Sequence, residues 1–155
     1  MLNDVPNHPS ARRRPHSLRE VAEWTLAGKC PLEPALREFL DTFYTAESAL
    51  DRAAMLQEEP PLLPKDTANA YLGAVAEHLC RRYRLLPIPA WTAKPERFLH
   101  EPWFPIGLES LKATLLVESP VAFRRRMIFV EADPLYRPRR DTPRFGVESN
   151  DDDAE

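Results

Sequence analysis

Glycine is scarce in this chain, with four residues in 155 against seventeen prolines. Tight primed hairpin turns and phosphate-cradling loops both need residues that tolerate positive φ, so this scarcity argues against a strand meander and against a nucleotide-binding loop. Cysteine is rarer still. Cys30 and Cys80 stand fifty residues apart with no Cys-x-x-Cys pair, which excludes a secreted disulfide framework and leaves two reduced thiols. No apolar run approaches the ~20 residues of a membrane span. The first sixteen residues are polar, proline-rich and arginine-bearing, without the apolar centre of a signal peptide. A cytoplasmic protein with no membrane association is the expectation.

The common motifs of catalysis are missing too. There is no Gly-x-Ser-x-Gly elbow, no phosphate loop and no dinucleotide fingerprint. The histidines are His8, His16, His78 and His100, and no two of them stand four apart as in the His-Glu-x-x-His pattern of a helical metal site. Glu77-His78 and His100-Glu101 are the adjacent acid–base pairs, and general acid–base work would need a second positioned group and a pocket around either. His78 beside an apolar stripe reads more simply as a packing residue. The chain is therefore expected to have no catalytic residue, no cofactor and no metal.

What is present is helical periodicity. At 155 residues the chain fits one domain with a real core. Ser17 with Glu20 forms a capping-box pattern, and Leu18, Val21, Ala22 and Thr25 follow at helical spacing toward Gly28. Leu36, Phe39, Leu40, Phe43 and Tyr44 fall on one stripe of a second helix, opposite Arg37, Glu38 and Asp41. A third helix runs from about 46 to Glu58 and is halted by Pro60, Pro61 and Pro64. Asp66 can cap a fourth, whose broad stripe of Tyr71, Leu72, Val75, Ala76, Leu79 and Tyr83 suits the centre of a bundle. Residues 85–106 mix five prolines with Trp91, Phe98, Trp103 and Phe104. Those aromatics suit an irregular wrap pinned to the helices better than a peptide groove. Leu108, Leu111 and Leu115 mark a fifth helix, and Ser119-Pro120 opens a sixth as cap and first residue. Met127 to Val130 either finishes it or extends as a short strand. The sum is an all-α domain of five or six helices over 17–133, after a disordered basic arm at 1–16 and before a mostly disordered tail at 134–155.

Charge is segregated along the chain, and patches matter more for association than sums. The arm holds Arg12, Arg13 and Arg14 against Asp4, and residues 119–140 hold six arginines against Glu131 and Asp133. Residues 141–155 carry six acidic side chains against Arg144, ending in Asp151-Asp152-Asp153-Ala154-Glu155. That acidic end is expected to shield the arginines when no partner is bound. The arginine triplet Arg124-Arg125-Arg126 is the sharpest candidate site. On a helix, consecutive side chains diverge by ~100°, so at most two of the three face one ligand. In an extended segment Arg124 and Arg126 share a face. The bland alternative is a solvated helix end, where cations complement the macrodipole.

The expected role is stoichiometric binding of another protein, with Arg124, Arg125 and Arg126 as charged contacts and Phe123 or Phe129 as apolar anchors. The alternative is an accessory nucleic-acid binder using the arginine-rich segments. Against it stand a pI near 5.9 and the lack of a recognisable nucleic-acid motif. Four stretches carry a resemblance: Glu38-Phe39-Leu40-Asp41, Ala76-Glu77-His78-Leu79, Glu101-Pro102-Trp103-Phe104, and Glu118-Ser119-Pro120 through Phe123-Arg124-Arg125-Arg126-Met127-Ile128-Phe129-Val130. Spanning about 17–137, they resemble a set of small bacterial helical proteins associated with nucleotidyltransferase-type toxin–antitoxin gene pairs. The resemblance implies a helical partner protein of antitoxin-like or regulatory kind. In such proteins an asparagine is expected where this chain has Met127.

Overall fold

The computed structural model describes residues 13–138. The basic arm up to Arg12 and the tail from Arg139, with its acidic end, lie outside the described residues. Six α-helices form among those described. Helix α1 (Leu18–Leu26) begins as the capping pattern predicts: Ser17 Oγ accepts from Glu20 N–H, and a Glu20 carboxylate oxygen accepts from His16 N–H. It ends at Gly28, whose φ of +69° suits a residue without Cβ. Helix α2 (Leu32–Thr45) buries Leu36, Phe39, Leu40 and Phe43, the stripe read from the sequence. Helix α1 packs on α2, and α3 (Ala49–Gln57), capped by Ser48, adds Leu56 to the core.

Helix α4 (Asp66–Tyr83) is the axis of the fold, buried on several sides because α3, α6 and the 90–97 segment all pack on it. Asp66 is its first helical residue rather than its cap, and Lys65 occupies the cap position without a side-chain bond. A carboxylate in the first turn still complements the helix dipole. The helix ends at Arg84, held at φ +53°. Phe43 of α2 meets Tyr83 of α4 edge-on, with ring centroids 5.3 Å apart.

The proline- and tryptophan-rich stretch is built from 3₁₀ turns at Ala90–Ala93 and Pro95–Arg97 that lie against α4. Trp91 is buried and donates from its indole to the Leu56 carbonyl at 3.1 Å. Helix α5 (Lys112–Glu118) follows a 3₁₀ turn, and of Leu108, Leu111 and Leu115 only the last is buried. Helix α6 is one turn, Val121–Arg124. Ser119 does not cap it. Its hydroxyl instead accepts from Val130 N–H at 2.9 Å and faces the carbonyls of Leu115 and Val130, tying the two ends of the α6 turn together. Met127, at φ +61°, then reverses the chain into an extended stretch. There Trp103 N–H donates to Met127 and Phe129 N–H donates back to Trp103, a single parallel bridge.

Both flanks are ordered further than the composition suggests. Arg13 pairs with Glu20, Arg14 pairs with Glu38, and Pro15 is buried. On the other flank Leu135 is buried, Tyr44 donates to its carbonyl at 2.8 Å, and Arg137 bonds both oxygens of Asp41. Ion pairs and one buried apolar residue on each side, Pro15 and Leu135, fasten segments whose overall composition is polar. No helix among the described residues is long and apolar enough to cross a membrane.

Candidate functional site

The arginine triplet divides between inside and outside. Ala122, Phe123 and Arg126 face the core, while Val121, Arg124 and Arg125 face outward. Phe123 packs edge-on against Tyr71 and His78, and Phe129 is covered by Phe104 with ring centroids 5.1 Å apart. Three of the five residues expected to contact a partner, Phe123, Arg126 and Phe129, are therefore buried and fill the core instead. Arg124 and Arg125 remain on the surface.

Arg126 is completely buried, which a guanidinium tolerates only when its charge and most of its donors are met. It donates to Glu77 at 3.0 Å, to the Ala122 carbonyl at 2.8 Å and to the Thr92 carbonyl at 2.7 Å, and it lies 4.5 Å from the Phe98 ring centroid. Glu77 also accepts from Arg81 at 2.9 Å and from Arg125 at 2.8 Å, so one buried carboxylate gathers three guanidiniums. Burial alone would raise its pKa. The Arg81 hydrogen bond and the charges of Arg126 and Arg125 outweigh that and hold it below the usual carboxylate range. Burial lowers the Arg126 pKa and Glu77 partly restores it, and the guanidinium stays a cation.

A second buried arginine sits beside the first. Arg97 is also completely buried, donating to the carbonyls of Pro60 and Asn69 and lying 5.0 Å from the Trp91 ring centroid. Gly73 makes room for both. A Cβ there would come within 2.9 Å of Arg97 Cβ and 3.1 Å of Arg126 Nε. Both Nε groups are buried without a hydrogen-bond partner. The sequence reading did not reach Arg97 or Gly73. The signal for Gly73 was present, since a lone glycine inside a helical pattern marks a close approach.

Neither histidine pair assembles into acid–base machinery. Glu77 is committed to arginines, and His78 has a buried Nε2 without a partner and a pKa lowered by burial and by Arg82. His100 and Glu101 are exposed. Cys80 is a buried free thiol pushed up to about 11 by burial and Glu77, so it stays protonated at neutral pH. Among the described residues no three or more His, Cys, Asp or Glu side chains cluster as a metal would require.

The surface around the C-terminal end of α4 carries a one-sided charge. Arg81, Arg82, Arg84, Arg124 and Arg125 are all exposed, and the carboxylates that pair with them are the buried Glu77 and Asp133, which bonds Arg82 at 3.0 Å. Arg84 and Arg124 form no ion pair among the described residues. Elsewhere a groove of about 1060 Å³, lined by residues including Leu36, Tyr71 and Trp103, holds charges of both signs, Glu33 and Glu131 against Arg37, Lys65 and Arg137. Arg37 there pairs with Glu33, and Arg137 with Asp41. The groove mixes both signs, whereas the exposed charge picked out at the α4–α6 end is basic. No family model, curated protein or solved structure matches the chain.

Proposed function

We propose that this chain is a non-catalytic protein-binding module, an antitoxin-like or regulatory partner of another bacterial protein, acting in the cytoplasm. The observation that carries the reading is the arginine surface at the end of α4 and on α6, where five exposed guanidiniums meet two carboxylates. Such an excess steers association with an acidic surface and selects against basic ones. Arg124 and Arg125 are the central contacts, joined by Arg81, Arg82 and Arg84. Arg126 supports them indirectly: by sharing Glu77 it fixes the carboxylate that positions Arg81 and Arg125.

The test is a tagged pull-down from the native host, with and without nuclease, at two salt concentrations, comparing wild type with the double variant Arg124→Glu/Arg125→Glu. One stoichiometric protein that resists nuclease and moderate salt, and is lost from the variant, is the expected result. Recovery only of nuclease-sensitive, salt-labile material would overturn the reading in favour of the accessory nucleic-acid binder, whose affinity is dominated by phosphate neutralisation.

A further inference from the structure

The cationic surface includes an exposed valine, and the short helix before it carries further exposed aliphatic side chains. On α6, Val121 shares its outward side with Arg124 and Arg125, three and four residues on, and is 47% exposed. Four residues earlier Val117 is 76% exposed, beside Leu116 at 46%. Leu111 and Leu108 extend this exposure along the 3₁₀ turn that leads into α5, which buries only Leu115. An aliphatic series of this kind, open to water beside a charged rim, marks an interaction surface.

Resting on the reading above, we infer that the α5–α6 surface receives an amphipathic helix of the partner protein, with an apolar stripe flanked on one side by carboxylates. Charge complementarity selects that occupant. A purely acidic ligand would leave Leu116, Val117 and Val121 in water, and a purely apolar one would leave Arg124 without a counter-charge. A helix is the shape that lays a single apolar stripe along another helix, its side chains set between the i, i+3 and i, i+4 rows of α5. The apolar stripe supplies the contact area, and the carboxylates fix direction by meeting Arg124 and Arg125.

Three synthetic peptides of about 20 residues, long enough to hold helical structure, test this by calorimetric titration of the full chain. One carries a leucine stripe with a glutamate flank, the second the same stripe with a lysine flank, and the third the glutamates with glutamine replacing the stripe. The first is expected to bind at least tenfold more tightly than either of the others. Val117→Ser/Val121→Ser should abolish its advantage over the third peptide, and Arg124→Glu/Arg125→Glu its advantage over the second. Val117, Val121 and Arg124 are exposed, Arg125 also bonds Glu77, and unchanged circular dichroism together with an unchanged unfolding midpoint verifies that the variants fold.

Equal binding of the first and third peptides would overturn the helix inference while leaving the cationic surface as a docking site. Failure of both glutamate peptides would overturn the proposed function as well. A dimer seen by sedimentation and lost in Val117→Ser/Val121→Ser would make a second copy the occupant and overturn the inference.

Discussion

Arg126 and Arg124 stand two residues apart in one triplet and live in opposite environments. The first is sealed from water against Glu77, two backbone carbonyls and the Phe98 ring, and the second is in solvent without an ion pair. Their identical chemistry therefore performs different work. A buried guanidinium organises structure, because any donor left unmet in the interior is costly. An exposed one is already solvated and stays available for an outside charge. Arg125 is the link between the two populations: half its side chain is exposed, yet it reaches the same buried carboxylate as Arg126.

Removing the interior arginine gives the largest expected effect. Arg126→Ala strands Glu77 in the core and opens a void, so denaturant unfolding should show a loss of about 3–5 kcal/mol. An outcome under about 1 kcal/mol would break the distinction between the populations. Next comes Glu77→Gln, expected to cost about 2–3 kcal/mol at neutral pH through lost charge-assisted hydrogen bonds. The sign with pH follows from the depressed pKa. Folded Glu77 holds its proton less tightly than the unfolded side chain, so its contribution is fully present above the ordinary carboxylate range near ~4.3 and fades as pH falls through the lower folded value. Acid titration of wild type should show that decline, and the Gln variant a flatter acid limb.

Gly73→Ala sharpens the comparison from the helix side. Alanine improves helix propensity, but its methyl would press on Arg97 Cβ and Arg126 Nε, so the net expectation is a loss of about 1–3 kcal/mol in the same unfolding assay. Arg124→Ala is the smallest effect. With no ion pair to lose among the described residues, its stability should match wild type within about 0.5 kcal/mol. A partner identified by the pull-down should nonetheless bind this variant more weakly.

The helices were legible because their signals are local. The α2 stripe and the Ser17 cap each depend on residues within a few turns, and both appear where periodicity and capping put them. The candidate site was legible in part. The ~100° rotation between helical neighbours already limited how many of the three arginines could face one ligand. Which ones face inward depends on Glu77, Thr92 and Phe98, which lie between 28 and 49 residues away and leave no local trace in the triplet. Arg97 was hidden for the same reason, its partners being brought together by 3₁₀ turns that proline spacing does not reveal. Ser119 shows the opposite failure: its local context predicts a cap, and a distant backbone group, Val130, takes its hydroxyl instead. Met127 is a further case: it holds a left-handed backbone, φ +61°, that methionine rarely adopts, so its residue type does not announce the turn.

Helix α2 holds both flanks of the described chain within one turn of itself, Arg14 on Glu38 and Arg137 on Asp41. Carboxylates three residues apart on a helix are neighbours, so the points where the chain enters and leaves the fold lie side by side. The topology is in effect a closed ring with a clasp. A short linker could join the two flanks directly, and a new opening in the exposed 107–111 stretch would give a circular permutant whose helices keep their places.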